Sequence, residues 1–161
     1  MFAPLLIAAI ALAGDGQNVG YPEGYRHWTF LHSSMIGPKL QGFWRRPCES
    51  PCTAGIFHFY ANDKAMAGLR TGEYAAGAVI AEEMLEFLGS PSGGGKEGER
   101  RFVGVMVKDN QRYASTGGWG FGVFDGPTSE NQLDGAAQKA CFACHIPRKD
   151  HGFVFSEYRE R

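Results

Sequence analysis

The sequence predicts an α+β fold that is strand-dominated: an antiparallel sheet with a few helices, one of them near the C-terminus. Three observations carry this. Five runs have strand character, at His27–His32, Ile56–Tyr60, Ala78–Phe87, Phe102–Lys108 and Trp119–Phe124. Helical signals occur in only two places. The 161 residues are 43% hydrophobic and 13% aromatic, enough for one sizeable core and too apolar for a disordered chain. The net charge of −1 argues against a nucleic-acid-binding footprint.

The chain opens on an uncharged apolar run, Pro4–Ala13, that ends in Ala11-Leu12-Ala13. Ten residues are too short to cross a hydrocarbon core of about 30 Å as a helix. The run matches the h-region and small-residue cleavage site of an export signal. Residues 1–13 are therefore read as a signal segment, and residues 14–161 as a single domain exported to the bacterial periplasm. No Lys or Arg precedes the run, so the true translation start is expected upstream. An oxidising compartment lets cysteine pairs persist as disulfides. Cys48 and Cys52, which bracket Glu49-Ser50-Pro51, are expected to form one.

Within the domain, Gly89–Gly95 continuing through Lys96 to Glu99 reads as a long hairpin loop between two strands. Asn62-Asp63 can cap a short helix over Lys64–Arg70, stopped at Gly72. A second helix is expected from about Asn131 or Leu133 to Cys144. Glycine is 23 of 161 residues, about twice the usual ~7%. In the last strand Gly118, Gly120 and Gly122 share one face, which lets a backbone or a flat ligand approach closely.

The chemistry sits in Cys141-Phe142-Ala143-Cys144-His145, the C-x-x-C-H signature of c-type haem attachment. Two thiols at this spacing add to the two vinyl groups of one haem c, and the adjacent His145 imidazole reaches the iron. A thioredoxin-type redox pair would need a βαβ setting that is absent here. A zinc site would need further ligands, for which Cys48 and Cys52 are the candidates. The 16 residues after His145 contain no methionine. Met35, Met66, Met84 and Met106 lie in apolar stretches and read as core filler. His27 and His32 read as sheet-surface or core groups, and His151 as a rim group. His58 is the distal candidate to watch, on a face shared with Ile56 and Tyr60. Elimination leaves a five-coordinate iron.

Several further segments extend the pattern: Tyr21-Pro22-Glu23-Gly24-Tyr25-Arg26-His27-Trp28, Tyr60-Ala61-Asn62-Asp63, Arg70-Thr71-Gly72-Glu73-Tyr74, Gly77–Glu83, Val105–Asp109, Gly117–Phe121 and Phe153–Ser156. In this order, together with the haem motif, the chain resembles the cytochrome P-460 / cytochrome c′-beta family. The resemblance implies a β-rich, usually homodimeric monohaem protein, five-coordinate through His145, that binds nitric oxide or a similar small ligand. Hydroxylamine-oxidising members carry a lysine cross-linked to haem, and that position falls on Glu82. Their distal acid falls on Gly104 and their distal arginine on Ile56.

A carboxylate cannot form the amine-to-porphyrin bond, so these departures favour a c′-beta-like ligand-binding role over hydroxylamine oxidation. Glu82 has two readings. One is a haem-facing acid or base with a pKa raised by burial; the other is a solvated strand carboxylate beside Glu83. The alternatives in function are a hydroxylamine- or peroxide-processing oxidoreductase acting through Glu82, and a six-coordinate electron carrier. The charged pair Arg45-Arg46 and the run Glu97–Arg101 are candidate docking points for a redox partner protein.

Overall fold

The computed structural model describes residues 18–37, 52–125 and 129–159. The expected signal segment, Arg45-Arg46 and Cys48 lie outside them, and with Cys48 the expected disulfide. Strands β1 (Thr29–Ile36), β2 (Cys52–Ala61), β3 (Val79–Gly89), β4 (Gly95–Lys108) and β5 (Trp119–Asp125) pair in sequence order as one antiparallel sheet. This is the strand-dominated α+β architecture expected, with helices α1 (Asp63–Thr71) and α2 (Gly135–His145) and a 3₁₀ segment at Ile146–His151.

Local chemistry explains the boundaries. The first strand begins later than its aromatic run because Tyr25–His27 forms a 3₁₀ turn after Gly24, whose φ is 70°. Helix α1 starts where Asn62 Oδ1 accepts from the Ala65 amide at 2.9 Å, and it ends at Gly72 in the left-handed region. The same Asn62 oxygen accepts from the Val79 amide at 3.1 Å, which ties the helix start to β3. Helix α2 begins later than expected because Asp134 is its cap, accepting from the Ala137 amide at 2.8 Å. Asn131 instead closes the edge of β5, accepting from the Val123 amide at 3.1 Å.

The expected long hairpin loop is corrected to a short turn. Ser90 N donates to Gly94 O at 2.7 Å, and β4 pairs from its first residue, with Gly95 opposite Gly89 and Lys96 opposite Leu88. Glycine here belongs to the strand. A Cβ at Gly95 would meet the Phe87 ring and lie 2.9 Å from the Leu88 carbonyl.

Each face of the sheet has its own cover. Ala61, Ile80, Met106 and Phe121 pack under the helices against Met66, Leu69, Cys141 and Phe142. Ala81, Val103, Val105 and Phe124 pack on the other face under Val19, Tyr21 and Tyr25 from the N-terminal segment. The glycine-bearing face of β5 serves packing. Tyr113 lies against Gly120, and Val19, Val105 and Phe124 surround Gly122.

Alternation along β3 sends adjacent carboxylates to opposite faces. Glu83 is 1% exposed and joins the N-terminal cover, where Arg26 Nε donates to Glu83 Oε2 at 3.2 Å and Arg26 Nη2 pairs with Oε1. Tyr25 is buried beside this pair, and desolvation followed by its hydrogen bond to Glu83 pushes its phenol up to about 12. Removing the guanidinium would strand a buried carboxylate. Arg26→Ala is expected to destabilise by about 2–3 kcal/mol in urea unfolding, less than a fully buried pair because Arg26 is largely exposed. A loss below about 0.5 kcal/mol would contradict this account.

Candidate functional site

Helix α2 carries Cys141, Cys144 and His145 at i, i+3 and i+4, so all three occupy one helix face. Cys141 is half-buried against the helix-side core, and Cys144 is exposed. Both are free thiols. The His145 ring lies between two phenyl rings, with centroids 5.1 Å from Phe121 and 5.0 Å from Phe155. Its Nδ1 donates to the Phe153 carbonyl at 2.7 Å. That bond fixes the tautomer and leaves Nε2 as a lone-pair nitrogen, the arrangement an iron-ligating imidazole needs. Burial lowers the His145 pKa, which keeps the ring neutral, while the Phe153 carbonyl opposes the shift.

The acceptor carbonyl is held at a cost. Phe153 has φ 67°, and among the described residues it is the one non-glycine at positive φ. For a bulky residue this is an unfavourable conformation, worth on the order of 1–3 kcal/mol. The surroundings impose it. Phe153 N donates to Arg148 O at 2.8 Å, and Trp119 Nε1 donates to Gly152 O at 2.8 Å. Trp119 is wholly buried, so the bend carrying Phe153 is anchored to the sheet core.

The sheet face on the α2 side supplies the opposing wall. Register places His32, Phe59, Glu82, Gly104 and Val123 in one row across β1 to β5. Beside that row Phe57, Met84 and Phe102 form a buried cluster. Glu82 is half-buried, and desolvation pushes its pKa up to about 7. Its side chain lies over Gly104, where a Cβ would approach Glu82 Cγ to 2.8 Å and Cδ to 3.0 Å. Among the described residues no hydrogen bond or ion pair holds this carboxylate. The Cys141 thiol is pushed up by its own burial and then by the Glu82 charge, which places Glu82 toward the haem motif.

The four distal candidates therefore separate. Glu82 and Gly104 lie on the α2 side, whereas Ile56 and His58 lie on the other. His58 is committed there: Nδ1 shares a hydrogen bond with Ser33 Oγ and Nε2 one with Glu97 Oε1, each at 2.7 Å. The expectation that the His58 strand face borders the distal side is corrected, because Phe57, Phe59 and Ala61 are the residues of β2 that face the helices. Met84 packs with Phe57 and Phe102, and Met66 and Met106 lie in the helix-side core.

The sequence carries no signal for one group. The Phe153 carbonyl is a backbone acceptor with no side-chain signature. His32 stacks on Phe59 at 4.5 Å and bonds Ser156 Oγ at 3.0 Å, which puts it in the Glu82 row. A surface cleft of about 610 Å³ between Thr29, Leu31, Met66, Arg70 and Tyr158 lies apart from the motif.

The donor set fits a covalently held haem: two thiols on one helix face, a neutral imidazole with one nitrogen committed, and a phenyl-rich wall opposite. The Glu82 carboxyl loses its proton near 4.5 when unfolded and near 7 when folded. Between those values the folded state holds the extra proton, so stability falls as pH rises through the window, and the full cost remains above it. Glu82→Gln is thus expected to raise stability by about 1–3 kcal/mol near pH 8 and to change it little near pH 4, read by thermal melts. An equal effect at both pH values would refute the burial of this charge.

A family model described as Cytochrome P460 matches residues 22–156. No curated protein matches the chain.

Proposed function

With most of its length matched, the chain belongs to the cytochrome P460 family, and on that footing we propose that it is an exported, periplasmic c-type monohaem protein whose five-coordinate iron binds nitric oxide or a similar small ligand. Cys141 and Cys144 would hold haem c as thioethers, and His145 would ligate its iron. The bound group supplies a metal centre with an open coordination position.

One observation carries the reading. His145 offers a single prepared nitrogen, while the facing wall presents phenyl rings, a shielded Met84 and one unpartnered carboxyl group. His58, the histidine that an electron carrier would use, is tied to Ser33 and Glu97 on the far side of the sheet. Electron exchange with a partner protein remains compatible with this site. The homodimer implied by the resemblance is proposed as well; Met35, 63% exposed on edge strand β1, supports it.

The deciding measurement is the absorption spectrum of ferric and ferrous holoprotein with and without nitric oxide. A high-spin ferrous spectrum that shifts on adding nitric oxide is expected. A six-coordinate low-spin spectrum with sharp α and β bands and no shift would sink the reading and favour the electron carrier. Replacing both Cys141 and Cys144 with Ala is expected to make the haem extractable into acidified acetone, whereas the wild-type protein retains it. The second reading, an oxidoreductase acting on hydroxylamine or peroxide, is favoured by the carboxyl of Glu82, half-buried on the α2 side with its pKa raised by desolvation. Turnover equal in wild type and Glu82→Gln would remove it.

A further inference from the structure

The described arginines divide by what they donate to. Arg26 meets Glu83, Arg101 meets Glu86 and Arg148 meets Glu157. Arg100 reaches the hydroxyls of Tyr21 and Tyr25, and Arg112 the Asn18 carbonyl. Among the described residues, Arg70 and Arg159 have neither an ion pair nor a hydrogen-bond acceptor. Both line the same place, the cleft of about 610 Å³ between β1, α1 and the C-terminal segment.

The cleft follows one face of α1. Asp63, Met66 and Arg70 stand at i, i+3 and i+7, so a carboxylate opens that face, a thioether fills its middle and a guanidinium ends it. Seven residues of helix put the two charges about 10 Å apart along the axis. Leu31, packed against the helix-side core, adds a second apolar surface. Tyr158 supplies the third side, and its ring centroid lies 4.9 Å from Arg70 Cζ. Stacking uses the face of the guanidinium and leaves its N–H edge open, which is the geometry for a two-pronged grip on a carboxylate.

We propose that this cleft binds a small organic monocarboxylate with an apolar body, its carboxylate on Arg70 and Arg159 and its body against Leu31, Met66 and Tyr158. The volume suits such a ligand, since small-molecule pockets span about 300–1,000 Å³. Charge and apolar surface are both needed. An exposed ion pair alone is weak because water screens it, and a ring or branched chain adds the apolar area that the lining can cover. Asp63 and Glu157 on the same lining act against multiply charged anions such as sulfate, which also bring no body to bury. The cleft lies apart from Cys141, Cys144 and His145, so the proposal goes beyond the haem reading and does not rest on it.

The test is calorimetric titration of purified holoprotein with phenylacetate, benzyl alcohol and sulfate. Phenylacetate is expected to bind saturably with a Kd below about 1 mM, and the other two, which carry the body alone or the charge alone, at least about tenfold more weakly. Arg70→Gln removes the charge, and Arg70→Lys removes the fork and the stack; each is expected to weaken phenylacetate about tenfold or more. Tyr158→Phe keeps the ring and should bind as wild type does, whereas Tyr158→Ala should bind more weakly. Arg112→Gln, outside the cleft, should change nothing. Arg70, Arg112 and Tyr158 are exposed, so all these variants should melt with the wild type, and the melts show that a loss of binding is local.

A wild-type Kd for phenylacetate above about 1 mM overturns the site. Binding unchanged in Arg70→Gln overturns the role of Arg70, and binding kept in Arg70→Lys overturns the two-pronged grip. Sulfate binding as tightly as phenylacetate overturns the ligand class. The iron's coordination is decided separately by the spectra, so either reading can fail without the other.

Discussion

A histidine that is to hold a metal must keep one ring nitrogen bare, and here the other is tied to the Phe153 carbonyl at 2.7 Å. Much of the C-terminal third is arranged around that bond. Helix α2 ends on His145, the 3₁₀ segment Ile146–His151 turns the chain back, and Gly152 and Phe153 take two successive left-handed conformations. Glycine adopts the first freely; phenylalanine does so only because its neighbours leave no alternative. The anchor is Trp119, wholly buried at the start of β5 and bonded to Gly152. Strain at Phe153 is therefore balanced by burial in the sheet core, and the His145 ring is tied through Phe153 to the sheet.

The second constraint is the two-residue alternation of a strand. β3 places Glu82 and Glu83 side by side in sequence and on opposite sides of a single sheet. Glu83 meets a guanidinium and a tyrosine in the N-terminal cover, where its charge is compensated. Glu82 meets rings, a glycine and the haem-motif helix, where its charge is not. The same chemical group is structural on one face and available on the other, and only the pairing decides which.

Much of this was legible in the sequence, and the unread parts have physical causes. Asn62 and Gly72 bound α1 where their chemistry predicts, because caps are local. The C-x-x-C-H motif is legible for the same reason, and it lies on α2. The sequence makes the hairpin turn look too long because Gly95 and Gly98 resemble loop residues, although each leaves room for a side chain from the facing strand: Phe87 at Gly95, Glu86 and Leu88 at Gly98. The face on which His58 sits was correctly grouped with Ile56 and Tyr60, but β2 is aromatic on both sides. Nothing in Ile56–Ala61 alone says which side meets the helices. The Phe153 carbonyl and the contact of Glu82 with Gly104 arise from chain reversal and strand pairing, which residue identity does not carry.

A single sheet that separates two environments also explains why the site tolerates an unpaired acid. The Arg26–Glu83 and His58–Glu97 pairs and the tyrosines Tyr25 and Tyr60 gather on the N-terminal side. The helix side carries two apolar clusters, Phe57, Met84 and Phe102 at one end and Ile80, Met106 and Phe121 at the other. Between these two clusters lies the row of Glu82 and Gly104, where the glutamate side chain covers the glycine. A cofactor held by α2 would lie against this face, beside a carboxylate that β3 supplies and β4 makes room for.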